Sequence, residues 1–167
     1  MRPVTATITI DAPRERVFEA ISDLAYRPAF CDHFAKEFHL QRLDSRGTGA
    51  AARFRAEAKR FPIWMETVVT EVDAPHRLIE SGRGARADRM RTGTAWELVE
   101  GPGSTTEVTV TFWAEPENPV DAAKSKLGAS RWYEKQWRKA LRRLRDKLEG
   151  GEPLEPLVVA GASRAGL

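Results

Sequence analysis

The chain has 167 residues, of which 41% are apolar and 31% charged, with a formal net charge of +3. That length supports one hydrophobic core without staples, and the composition excludes a disordered chain and gives no overall basic excess of the kind nucleic-acid binding needs. No apolar run reaches a membrane span, Met1-Arg-Pro-Val-Thr opens on strand-like alternation and not on an apolar leader, and a lone cysteine, Cys31, can close no internal disulfide, so a cytoplasmic protein is predicted.

Val4 to Ile10 alternates with period two and is rich in β-branched residues, which predicts a strand with Val4, Ala6, Ile8 and Ile10 on its buried face. Asp11 is placed to cap a helix whose first turn holds Pro13 and whose buried face is Val17, Phe18 and Ile21, ending near Asp23. A second short helical piece, Leu24 to His33, is interrupted by Pro28.

From Lys36 the period is two. Strands are predicted at Glu37 to Leu43, Gly49 to Ala58, Ile63 to Val72, Arg77 to Gly82, Met90 to Val99 and Thr105 to Ala114, separated by turn clusters that include Asp73-Ala-Pro-His and Gly82-Arg-Gly-Ala. The links are too short for crossover helices, so consecutive strands pair as antiparallel hairpins. A long helix from Pro119 to Glu149 follows, with Tyr133, Trp137, Leu141, Leu144 and Leu148 on one apolar stripe and Gly150-Gly151 as its stop. The expectation is one α+β domain, residues 1–149, in which a seven-stranded antiparallel sheet grips the long helix, followed by a tail, residues 150–167. Leu154, Leu157, Val158 and Val159 in that tail are apolar enough to dock on their own domain or on a second copy in a homodimer.

This order of elements resembles the helix-grip fold of the START-like (SRPBCC) superfamily, in particular its polyketide cyclase/dehydrase branch. The local pieces that carry the resemblance are Ile10-Asp-Ala-Pro-Arg-Glu-Arg-Val-Phe-Glu-Ala-Ile-Ser-Asp23, Val72-Asp-Ala-Pro-His-Arg-Leu78, Gly93-Thr-Ala-Trp-Glu-Leu98 and the final amphipathic helix. The resemblance implies an apolar cavity between sheet and long helix that takes a small hydrophobic molecule.

Alternation assigns the lining of that cavity to Phe54, Trp64, Glu66, Met90, Thr92, Thr94, Trp96 and Phe112 from strands, with Tyr133 and Trp137 from the helix. An aromatic surface with a few hydroxyls suits a flat or polycyclic ligand. Glu66 shares a face with Trp64, Val68 and Val72, so it is the candidate cavity carboxylate and general base; the opposing reading has a bulge near Pro62 turning it to solvent. His39, Arg53 and Arg55 share that doubt, and alternation about Phe54 sends both arginines outward. No metal-ligand cluster, nucleophile motif, phosphate loop or dinucleotide fingerprint occurs, so no metal or cofactor is expected. Binding of an aromatic or polyketide-like molecule is the leading functional expectation. A cyclase/dehydratase enzyme and a co-chaperone-like interaction module are the alternatives. Arg138, Lys139, Arg142, Arg143 and Lys147 form a basic helix face that either contacts an acidic partner or is simply solvated.

Overall fold

The computed structural model describes residues 2–57, 62–84, 90–116 and 129–158. Strand β1 (Val4–Ile10) is followed by α1 (Arg14–Ser22), a 3-10 turn (Leu24–Tyr26) and α2 (Arg27–Cys31). Then come β2 (Ala35–Leu40), β3 (Ala51–Ala56), β4 (Ile63–Asp73), β5 (Arg77–Gly84), β6 (Met90–Glu100), β7 (Thr106–Pro116) and the long helix α3 (Ala129–Glu149). All strand pairs are antiparallel and the sheet order is β1-β7-β6-β5-β4-β3-β2. The chain therefore starts at one edge, crosses to the other through the short helices, and returns strand by strand until β7 pairs with β1. This is the predicted helix-grip α+β fold. The part of the long-helix prediction from Pro119 to residue 128 lies outside the described residues.

The inner face of the curved sheet and the apolar stripe of α3 make the core. Tyr133, Trp137, Ala140, Leu141, Leu144 and Leu148 are buried against Val4, Ala6, Leu98, Val108, Val110 and Phe112, among others. Each fully buried leucine contributes about 1.5–3 kcal/mol, so tertiary packing more than intrinsic propensity holds α3 in place. Both ends of α3 are tied to the β1 region: Ser130 Oγ donates to the Arg2 carbonyl at 3.5 Å, and the Asp11 amide donates to Glu149 Oε1 at 2.9 Å. In the tail, Leu154 and Leu157 pack on the core of their own domain, and the Leu157 amide donates to the Ala25 carbonyl at 2.8 Å. Val159 lies outside the described residues.

Three local expectations are corrected. Asp11 does not cap α1: the cap position is Pro13, whose carbonyl accepts from Arg16 and Val17, and no side chain caps it. Asp11 is two residues too early, and Asp23 does the capping further on, accepting from the Ala25 amide at 2.9 Å. Pro28 does not interrupt a helix but sits in the first turn of α2, where a missing N–H costs nothing. The Gly82–Gly84 stretch is strand and not turn, and Gly82 is there for close approach, since a Cβ would lie 2.0 Å from the Glu66 carbonyl oxygen.

The fourth correction is the register of β4. Met65, Thr67 and Val69 face the core, whereas Trp64 and Val68 are 38% and 36% exposed on the outer face. The pairing shifts between Val69 and Glu71, leaving Thr70 as the extra residue of a β-bulge. Beyond it Val72 pairs with buried Leu78, which puts it on that residue's side of the sheet although it is itself 37% exposed. Alternation read backwards from Val72 through the bulge therefore inverts every side chain before it.

Candidate functional site

Between α2, α3 and the inner face of the sheet lies a cavity of about 30 Å³. Its walls are mostly aromatic: Phe34 beside α2, Phe38 from β2, Phe54 from β3, Phe112 from β7, and Tyr133 and Trp137 from α3. Phe34 meets Trp137 edge-on at 5.3 Å between ring centroids, and Phe38 stacks on Phe54 at 5.7 Å. Thr92 and Thr94 of β6 add two hydroxyls, and Cys31, Met65 and Ala35 fill the gaps. This volume admits roughly two water molecules, so a ring-sized guest enters only if side chains of the wall move apart.

The polar end is built around Glu80, which is 1% exposed on β5. Four donors converge on its carboxylate. Arg27 Nη2 and Trp96 Nε1 donate to Oε1 at 2.6 and 3.0 Å, and Arg27 Nη1 and Thr67 Oγ1 donate to Oε2 at 3.4 and 2.9 Å. Arg27 is 5% exposed, lies 5.1 Å over the Trp96 ring, and gives a further bond to the Ile21 carbonyl at 3.3 Å. Burial works against its charge, but the Glu80 carboxylate outweighs this and raises its pKa. Arg27 is the first residue of α2, directly after the 3-10 turn, and from there its guanidinium reaches the buried Glu80.

Two donors beside the cavity are unused. Arg27 Nε and Trp137 Nε1 are buried without a hydrogen-bond partner among the described residues. Among the described residues the Tyr133 hydroxyl finds only the weak acceptor Met65 Sδ, at 3.7 Å, and burial pushes its pKa up, so it is a neutral O–H donor. Burial likewise pushes the Cys31 thiol up to about 12.

Of the residues predicted to line the site, Phe54, Thr92, Thr94, Phe112, Tyr133 and Trp137 border the cavity. Trp96 is fully buried one layer behind it as a partner of Glu80, and Met90 packs against the core but not on this cavity. Trp64 and Glu66 are on the outer face. The Glu66 side chain is 45% exposed, near Arg53 at 4.0 Å and Gln41 at 3.4 Å, so it is no cavity carboxylate and the assignment of a general base to it is withdrawn. Arg53 covers Trp64 at 4.7 Å and His39 is exposed. The polar residues missed are Arg27, Thr67 and Glu80, and the wall residues Cys31, Phe34, Ala35, Phe38 and Met65 were missed with them. Glu80 was findable, since alternation from Leu78 through the predicted strand Arg77 to Gly82 puts it inward; Arg27 had no such signal, because the sequence does not reveal where α2 starts.

A model of the family described as polyketide cyclase / dehydrase and lipid transport matches residues 1–149. The chain belongs to this family. Solved structures agree on the fold. TTHA0849 from Thermus thermophilus superposes with a TM-score of 0.71 at 18% identity, over 90% of this chain and 99% of that one. A START superfamily protein from Mycobacterium smegmatis gives 0.60 at 18% identity, over 89% and 95%. DynU16, a protein of the dynemicin biosynthetic locus, gives 0.60 at 20% identity over 93% of this chain and 50% of that one. No curated protein matches. Among the described residues no helix is long and apolar enough to cross a membrane, and no cluster of His, Cys, Asp and Glu could hold a metal ion.

Proposed function

We propose that the protein binds a small hydrophobic molecule, aromatic or polyketide-like, in the cavity between the sheet and α3. One observation carries this reading: a largely aromatic cavity ends in buried donors, Arg27 Nε and Trp137 Nε1, that nothing in the described chain satisfies. A buried donor without a partner costs about 1–3 kcal/mol, and a guest with a carbonyl or other acceptor oxygen would remove that penalty. The Arg27–Glu80 pair supports a binding role over base catalysis by Glu80, because all four lone-pair positions of the carboxylate already face donors. The buried, unpaired Cys31 fits a reducing, cytoplasmic setting.

The test is extraction and mass spectrometry of the protein purified from its own host, with tryptophan fluorescence titration using 1,4-naphthoquinone. Quenching should be saturable, and Trp137→Phe should weaken it while leaving the fold intact. Absence of both a co-purifying molecule and saturable quenching would remove this reading.

A cyclase/dehydratase enzyme is the second reading, favoured by one observation: among the described residues the Tyr133 O–H has no strong acceptor, so it can donate to oxygen charge developing on a guest. Under it Tyr133→Phe lowers turnover at least about a hundredfold with binding retained. Equal loss of binding and turnover would leave only the carrier.

A further inference from the structure

The basic face of α3 is not uniform. Arg138 is bound to Glu134 at 2.6 Å, Arg143 to Asp32, Arg145 to Asp146 at 3.1 Å and Lys147 to Glu152 at 3.5 Å. Arg131, Lys135, Lys139 and Arg142 are exposed, and none has a carboxylate within ion-pair distance among the described residues. Their spacing of four, four and three places them in single file along one line, about 16 Å long at ~1.5 Å per residue. At 100° per residue the line runs opposite the buried stripe of Tyr133, Trp137, Leu141 and Leu144.

We propose that this stripe docks an acidic helix of a protein partner. Successive cations sit one helical turn apart, the repeat at which Glu or Asp side chains recur on one face of another helix, so two helices laid side by side bring each cation to a carboxylate. A bilayer surface fits less well. None of the exposed large apolar residues, Leu43, Trp64, Val68, Val72, Val99 and Val158, lies on α3, so nothing there would enter lipid. Single-stranded nucleic acid fits less well too, because no exposed aromatic interleaves with the stripe. The docked turns are those whose other side lines the cavity, so a partner held there sits on the back of Tyr133 and Trp137.

The test uses the full chain and two 20-residue helical peptides of equal charge, one with glutamates on a single face at steps of three and four, the other with them scattered around the helix. Binding is read by fluorescence anisotropy at low and physiological salt. The face-matched peptide should bind at least fivefold tighter than the scattered one. Lys135→Glu/Lys139→Glu should weaken it at least tenfold, while the charge-matched Arg83→Glu/Arg91→Glu on the outer sheet face should change it less than twofold, with circular dichroism showing all variants folded. Lys135→Gln/Lys139→Gln should fall between. Equal affinity for both peptides, equal loss in both reversal pairs, or binding only to phosphatidylglycerol vesicles or oligo(dT) would overturn the proposal. So would no binding to any of these probes.

Discussion

Glu80 is the residue on which the polar end of the cavity depends. Glu80→Gln removes the negative charge and leaves Arg27 as a buried, uncompensated cation, which should cost about 3–5 kcal/mol in urea unfolding. Arg27→Met/Glu80→Gln should be more stable than Glu80→Gln alone, because the stranded charge is gone, the amide oxygen still accepts from Trp96, and the amide NH2 can donate to the Thr67 hydroxyl. A double variant no better than the single would show that the pair is not coupled. Cys31, pushed up to about 12 by burial beside Arg27 and Glu80, should resist iodoacetamide at pH 8 in the native state and react at once in urea, as mass spectrometry would show. His33 gives a pH effect of definite sign. Its Nδ1 faces Arg143 Nη1 at 3.2 Å and its Nε2 faces the Gln136 carbonyl at 3.2 Å. Burial lowers its pKa from 6.5; Lys139 and Arg143 add to this, and the Gln136 bond and Asp32 oppose it. The neutral ring is thus the folded form. This contribution is complete above about pH 6.5, the unfolded value, and falls as acid titrates the unfolded state first. His33→Gln should flatten the stability profile between about pH 7 and 5, measured by urea midpoints.

Among the elements, period-two segments and the apolar stripe of α3 were legible because each follows from one face being buried. Every predicted strand exists, with ends displaced by a few residues. What failed was phase within β4. A single inserted residue, Thr70, leaves no composition signal, yet it exchanges the faces of Trp64, Glu66 and Val68 with those of Met65 and Thr67. The same slip put Glu66 at a buried position, whereas the carboxylate that is buried is Glu80 of β5, opposite Thr94. The six lining residues that alternation placed well, Phe54, Thr92, Thr94, Phe112, Tyr133 and Trp137, all sit on bulge-free strands or on α3. Glu66→Gln should accordingly leave ligand quenching unchanged and stability within about 0.5 kcal/mol. Thr67→Val, one residue on, should cost about 1 kcal/mol through the lost bond to Glu80. A large effect at Glu66 with none at Thr67 would contradict the register.

For the whole molecule, the cavity of about 30 Å³ ties the proposed binding to an opening of its walls. If the guest enters only a separated state, the observed rate of quenching should level off at high ligand concentration, at the opening rate, in stopped-flow traces. Linear dependence throughout would mean that the walls are already open in solution. The order of the sheet has a consequence for how the chain is made. Each of β3 to β7 can pair with the strand synthesised just before it, but among the described residues β1 pairs only with β7, Thr7 lying opposite Thr109. At about 5–20 residues per second the ribosome takes roughly 5–20 s to deliver that partner. During this interval β1, Val-Thr-Ala-Thr-Ile-Thr-Ile, lacks its strand partner, and its β-branched edge is available to a chaperone or another nascent chain.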